Sequence, residues 1–242
     1  MPEHISRKEL KQDKIRESIE HGAEAVYSHS RAATVIILLA LIAAGAYFGW
    51  NFYTGRQNLH ASAALDTAMK TFNAPLRSSA PPGDSSETVY PTEDARAEAA
   101  SQQFLIAANK YPNTNPGRLA RYYAALCLED LGRFNQALEE LKKLAPGKDK
   151  ELAAMAEYQM ASIYARTGKT DDAVKAYRAV ADMHAVLVPR PLALLELADL
   201  LRQKNPAEAA GIYQQVKNDY PNSPVADRAD RGLNLLASSP KT

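Results

Sequence analysis

The chain has 242 residues, with 29 Lys or Arg and 28 Asp or Glu, so its net charge is +1. A near-neutral chain lacks the broad basic surface that nucleic-acid binding requires, so no nucleic-acid partner is expected. The single cysteine, Cys127, excludes an internal disulfide. It lies in an apolar helical stretch, where a buried, inert thiol is expected.

The first 31 residues mix charges with apolar residues at roughly helical intervals, such as Ile5, Leu10, Ile15 and Ile19. This pattern fits an amphipathic helix lying on the inner leaflet of a membrane. A solvated cytoplasmic tail is the simpler alternative. We therefore assign residues 1–31 to an amphipathic cytoplasmic tail and leave its membrane contact open.

The run from Ala32 to Trp50 contains no charged residue. About 20 helical residues cross a hydrocarbon core of about 30 Å, and aromatic residues such as Tyr47 and Tyr53 favour its interface. Residues 32–54 are therefore predicted to form a transmembrane anchor. The alternatives are a buried core helix and a cleaved signal peptide. The long, half-acidic region before the run is unlike a short basic leader, which favours an uncleaved anchor.

Basic residues are more frequent in the 31 positions before this run than in the 31 after it. Because basic residues flanking a span tend to stay in the cytoplasm, we expect the N-terminus inside and the rest of the chain outside.

Residues 55–242 are predicted to form one helical domain. A helix follows the anchor and ends at Pro75, because proline cannot continue a helix. Residues 75–92 are rich in Pro, Ser and Gly, which predicts a flexible loop. Helical periodicity resumes at Glu93 and runs to about Lys110.

From there on the chain matches itself at a spacing of 36 residues. The aligned sets are Ala137, Ala173 and Ala209; Leu141, Tyr177 and Tyr213; and Leu144, Val180 and Val216. A fixed period of this length indicates a solenoid of helical hairpins. The small residues mark close helix approaches, and Gly132 and Gly168 suit left-handed turns between helices. At the third turn Lys204 stands in place of glycine.

A second echo joins KYPNTNPGRLA at 110–120 to DYPNSPVADRA at 219–229. Both segments place proline and a capping hydroxyl before a new helix. The last helix, about Val225 to Leu236, carries polar residues typical of a terminal cap.

The segments RYYAALCLEDLGRFNQALEEL and AEYQMASIYARTGKTDDAVKAYRAV resemble tetratricopeptide repeats, although the early Trp of that pattern is missing. The expected fold class is all-α: a single N-terminal transmembrane helix, then an α-solenoid of about four tetratricopeptide-like helical hairpins plus a capping helix.

The whole layout, with RKELKQDK in the tail, one anchor, a split first hairpin and YPNT before three further hairpins, resembles the YfgM-type family of ancillary SecYEG translocon subunits. That resemblance implies a single-pass bacterial inner-membrane protein with a periplasmic repeat domain. It also implies the SecYEG translocon and a membrane-anchored periplasmic chaperone as partners. The long loop at 75–92 departs from this layout.

An alternative is an envelope-organising structural protein, because YPNSPVADRA locally resembles coordinators of cell-wall synthesis and cell division that carry such repeats. Those proteins are typically soluble periplasmic chains with a coiled-coil leader.

No catalytic motif, metal-ligand spacing or phosphate-binding glycine loop occurs, so we expect no enzyme activity, no cofactor, no metal and no small-molecule substrate.

In tetratricopeptide superhelices the first helix of each hairpin lines a concave groove. Carried over by position, the partner-binding residues would be Tyr122, Leu126, Glu129, Tyr158, Ser162, Arg166, Leu194 and Arg202. Ordinary packing between hairpins is an equal alternative for Tyr122 and Tyr158.

Overall fold

The computed structural model describes residues 30–77, 88–144 and 149–238, and it is all-helical apart from one isolated backbone bridge. In this part of the chain the helices are α1 (Ser30–Phe72), α2 (Glu93–Lys110), α3 (Asn115–Asp130), α4 (Phe134–Lys142), α5 (Lys150–Arg166), α6 (Thr170–Met183), α7 (Arg190–Lys204), α8 (Pro206–Asp219) and α9 (Pro224–Ser238). The predicted amphipathic helix of the tail and residues 78–87 of the predicted loop lie outside the described residues.

The chain divides into two compact units, Met1–Arg56 and Gln57–Thr242. In the first unit, the described side chains of α1 are exposed nearly throughout, including Ile36 and Trp50. The stretch Thr34–Phe72 is the one candidate among the described helices that is long and apolar enough to cross a membrane. This composition is what the predicted anchor requires.

In the second unit the repeat positions form the core. The residues at the three small and large repeat positions are all buried: Ala137, Ala173, Ala209, Leu141, Tyr177, Tyr213, Leu144, Val180 and Val216. The small residues allow paired helices to approach closely, and the large residue one turn later fills the space between hairpins. The predicted solenoid of hairpins is confirmed in the part of the chain that the structure describes.

Two of the three hairpin turns use glycine in the left-handed conformation. Gly132 has φ 70° and Gly168 has φ 74°, as expected for residues that end helices in this way. The third turn is a single residue, Asn205, with φ −144°. Its side-chain oxygen accepts a hydrogen bond from the Glu208 amide at 3.3 Å, so it starts α8 without a glycine.

The two YPN turns repeat one capping geometry. Thr114 accepts a hydrogen bond from the Gly117 amide at 3.1 Å, and Ser223 accepts one from the Ala226 amide at 3.3 Å. In each turn the tyrosine amide donates to the last turn of the preceding helix. These hydroxyls satisfy amides that would otherwise lack partners at the helix start, which explains the sequence echo.

The described ends of the predicted loop at 75–92 are joined by hydrogen bonds. The Arg77 amide donates to the Tyr90 carbonyl at 2.8 Å, and the Tyr90 amide donates to the Pro75 carbonyl at 3.1 Å. Arg96 also donates to the Ala74 carbonyl at 3.1 Å. The first hairpin is therefore closed at its turn despite the length of the connection.

Candidate partner-binding groove

The helices α3, α5 and α7 begin three successive hairpins, and ion pairs join α3 to α5 and α7 to the capping helix α9. We call the surface that carries Tyr122, Leu126, Tyr158, Ser162 and Arg166 the inner face. Glu129 on α3 pairs with Arg166 on α5, and Arg228 on α9 pairs with Glu196 and Asp199 on α7. The groove residues expected from the sequence lie on these same helices.

The junction of α3 and α5 is organised by Glu129. This side chain is buried and accepts hydrogen bonds from Arg166 Nη1 at 2.5 Å and from Gln159. The Arg166 guanidinium also lies over the Phe134 ring, 5.0 Å from its centroid. Arg166 thus remains exposed but is held in one place by two contacts, which lowers the entropy cost of using it in binding.

The neighbouring Asp130 lies close to the charged groups of Glu129 and Arg166, which act on its pKa in opposite directions. Burial, followed by the adjacent Glu129 carboxylate, raises the pKa of Asp130, while Arg166 opposes that rise. Among these groups, Arg166 carries the positive charge that balances two adjacent carboxylates.

Tyr122 and Tyr158 are half-buried and form the middle of the inner face, and the buried Tyr177 of α6 lies behind Tyr158. The rings of Tyr158 and Tyr177 meet edge to face with centroids 5.7 Å apart. Burial raises the pKa of Tyr122, of Tyr158 and of Tyr177, so the phenols stay neutral and can donate hydrogen bonds. Ser162 opposes this rise at Tyr177. Tyr122 and Tyr158 present flat apolar surface with polar ends, a composition suited to peptide contact.

The junction of α7 and α9 is built from Glu196, Asp199 and Arg228. Arg228 Nη2 lies 2.8 Å from Glu196 and 2.6 Å from Asp199, and the Tyr213 hydroxyl donates to Asp199 at 2.5 Å. Burial, followed by that hydrogen bond, raises the pKa of Tyr213.

The sequence analysis did not predict this junction, although the residues that align at the 36-residue spacing indicate it. Glu196 stands where the earlier hairpins have buried Ala124 and Met160, and Asp199 stands where they have buried Cys127 and Ile163. Acids at two core positions of the last hairpin indicate a different neighbour, which is the arginine of the capping helix.

The expected groove residues differ in the surface that they offer. Tyr122, Leu126, Tyr158, Ser162 and Arg202 are half-exposed, and Arg166 is exposed. Glu129 is buried and paired, and Leu194 is buried in the core with 6% of its surface exposed. The structure brings Glu129 and Arg166 together. Leu194 serves packing and offers a partner little surface.

This fold of stacked hairpins with an inner face of tyrosines and held charges defines the chain as a helical-repeat protein of the interaction-scaffold class. The tetratricopeptide repeat-like domain family matches residues 29–186, and the tetratricopeptide repeat matches residues 158–224. The chain belongs to the tetratricopeptide repeat-like domain family. No match is found among curated proteins.

One of two similar solved structures, with a TM-score above 0.5, supports the same fold. Crystal structures of nearly identical TPR-like repeats from a kinesin light chain of Podosopora anserina are similar to this chain. One, of a point variant, has a TM-score of 0.53 and 14% identity over 73% of this chain and 86% of its own. The other has a TM-score of 0.49 and 16% identity over 60% and 79%. At these identities the similarity concerns the fold alone.

Cys127 lies in the core beneath this region, and we expect it to be unreactive. Burial raises the pKa of its thiol to about 12, so almost no thiolate is present at pH 8. The folded full-length protein should resist a disulfide reagent such as DTNB at pH 8 over an hour, and one thiol should react within minutes in urea. Rapid labelling without denaturant would show that α3 opens readily.

Proposed function

We propose that this protein is a non-enzymatic, membrane-anchored scaffold that binds protein partners through the inner face of its repeats. The observation that carries the proposal is the half-exposed tyrosine surface of α3 and α5, bordered by charges that are already held in place. Tyr and Arg dominate the energetics of many protein interfaces, and positioning them in advance reduces the cost of binding.

Ion pairs hold two junctions of the inner face together. Glu129 with Arg166 connects α3 to α5, and Arg228 connects α9 to Glu196 and Asp199 on α7. An extended segment or a partner helix lying across these helices would meet Tyr122, Leu126 and Tyr158 in succession. Both binding modes are common for grooves between helices.

For the partners, we infer the SecYEG translocon and a membrane-anchored periplasmic chaperone. Support comes from the layout of tail, anchor, split first hairpin and repeats, which resembles the YfgM-type family, and from α1, whose apolar stretch suits a single inner-membrane crossing. The excess of basic residues before the apolar run supports a cytoplasmic N-terminus and a periplasmic repeat domain.

Site-specific photocrosslinking in living bacteria tests the proposal. The photoreactive residue p-benzoylphenylalanine is placed at Leu126 or Tyr158 on the inner face. The matched controls are Glu139 on α4 and Lys175 on α6, both of which are exposed. We expect adducts with translocon subunits or the chaperone from the inner-face positions and none from the controls.

A second variant measures the energetic contribution of the inner face. Leu126→Ser should weaken recovery of the captured partner about tenfold, because it removes apolar contact from a half-exposed site. Its thermal unfolding is measured alongside to confirm that the fold is retained.

Equal amounts of adduct from the inner-face positions and from the control positions would contradict the proposal that partners bind at the inner face. Adducts from the inner face with cell-wall or division proteins, together with septal localisation, would favour the envelope-organising alternative. Protease digestion of the repeats in spheroplasts tests the topology separately, because only a periplasmic domain is digested without lysis.

A further inference from the structure

The connection between α6 and α7, residues 184–189, carries an exposed apolar tip. Val186 is 80% exposed and Leu187 is 64% exposed, whereas the flanking Ala185 and Val188 are buried in the core. The YPN connections at 111–114 and 220–223 have no such aliphatic pair. We call Val186 and Leu187 the tip.

Hydrogen bonds to Glu151 fix the backbone of the tip. The Glu151 carboxylate, in the first turn of α5, accepts hydrogen bonds from the Val186 amide at 3.0 and 3.1 Å and from the Leu187 amide at 2.8 Å. His184, at the start of the connection, has φ 49° and turns the chain away from α6. Two apolar side chains are therefore fixed outward while their backbone donors are already satisfied.

This arrangement suits a lipid surface. In hydrocarbon every backbone donor needs an internal partner, and Glu151 supplies one to both amides of the tip. A tip of two side chains is also far smaller than the roughly 800 Å² per partner that stable protein interfaces bury. The nearby charges are Lys150 and Arg190 against Asp149, Glu151 and Asp182, a net charge of −1. Charge therefore provides no attraction to an anionic lipid surface, and the attraction would be apolar.

Chain direction places the tip at a particular edge of the repeat unit. Because successive helices are antiparallel, their connections alternate between two edges. The turns at 111–114, 184–189 and 220–223 share one edge, and the chain enters the repeat unit at Gln57 on that same edge. The charge-free apolar run that ends at Trp50 precedes this entry point in the chain, so a membrane holding that run would be present at high local concentration.

We propose that Val186 and Leu187 insert into the surface of the bilayer that holds the anchor, giving the repeat domain a second membrane contact. The proposal rests on the membrane anchoring within the proposed function, and it does not depend on the inner face.

The test uses the full-length protein in vesicles of phosphatidylethanolamine and phosphatidylglycerol at 3:1. Leu187→Cys is labelled with the environment-sensitive fluorophore NBD, and doxyl lipids serve as quenchers. The matched control is Gln136→Cys, an exposed site near the opposite edge. The buried Cys127 thiol stays unlabelled. We expect at least twofold stronger quenching and a blue-shifted emission at position 187, unchanged in 0.5 M salt.

A second label leaves the tip intact. NBD at Asn113→Cys, an exposed site on the same edge, should be quenched in the native background. Changing Val186→Ser and Leu187→Ser together should lower that quenching to the level at position 136. Unchanged quenching at position 113 would overturn the role of the tip.

The single tryptophan, Trp50, reports on the anchor independently through quenching by brominated lipids. Quenching of Trp50 without quenching at position 187 overturns the inference and leaves the anchor standing. No quenching of Trp50 removes the anchoring and the inference together. A blue shift of the NBD emission at position 187 that appears only after membrane proteins are added identifies a protein contact and overturns the lipid proposal.

Discussion

Replacing Gly117 by alanine is expected to lower the free energy of unfolding by about 3 kcal/mol, because it overpacks a turn made of backbone. A Cβ at this position would lie 1.9 Å from the Tyr111 carbonyl oxygen and 2.7 Å from its carbon. That oxygen also accepts hydrogen bonds from the Thr114 amide at 3.2 Å and from its hydroxyl at 2.9 Å. The turn cannot shift away from the new methyl group without losing these bonds.

Gly211→Ala is the matched control. Gly211 is exposed within α8, and a Cβ there meets nothing within 4 Å. Alanine is the better helix former, so this variant should gain about 1 kcal/mol. Urea unfolding followed by circular dichroism at 222 nm compares both variants with the parent in the same detergent. Equal changes of the same sign would contradict the close contact at Gly117.

The contrast between these glycines shows what could be read from the sequence. Periodicity placed the helices, because buried positions recur at a fixed interval and hairpins contact only their neighbours. The left-handed Gly132 and Gly168 followed from the need for a turn. The close approach at Gly117 depends on the path of the preceding chain, and periodicity carries no information on that path.

Site residues were harder to predict for a related reason. The position of a residue within the 36-residue repeat tells which side of its helix it lies on. It does not tell what fraction of the side chain the next hairpin buries. Leu194 stands 36 residues after Tyr158, at the same repeat position, yet it is buried in a core cluster that includes residues of α8 and of the capping helix α9. The hydrogen bonds from the Val186 and Leu187 amides to Glu151 join residues 35 and 36 positions apart, and the other connections that the structure describes in full contain no such bond.

Arg121 is the other position where a large effect is expected, and periodicity did not identify it. Its side chain, on α3, is only 7% exposed as a residue. It donates to the Ala108 carbonyl and to the Asn109 side chain of α2, each at 3.1 Å, and it pairs with Glu140 of α4. One guanidinium therefore joins three helices and satisfies a carbonyl at the C-terminal end of α2.

Arg121→Met keeps most of the side-chain volume but removes every one of these bonds. Breaking a buried pair from one side leaves the other charge and the carbonyl without their partner, which costs about 3 kcal/mol. The loss should not exceed this value, because Glu140 keeps its ion pair with Lys143 at 2.6 Å. The midpoint of urea unfolding should fall accordingly.

A double-mutant cycle separates this contact from general loss of packing. Glu140→Gln is combined with Arg121→Met, and the coupling free energy should be about 1–2 kcal/mol, since the two side chains share one network. The exposed pair of Lys204 and Asp171 provides the control cycle, for which no measurable coupling is expected. Additive effects of Arg121→Met and Glu140→Gln would mean that the arginine stabilises the hairpins through its contacts with α2 alone. The junction of α3 and α4 would then depend on apolar packing, which Arg121→Met leaves largely unchanged.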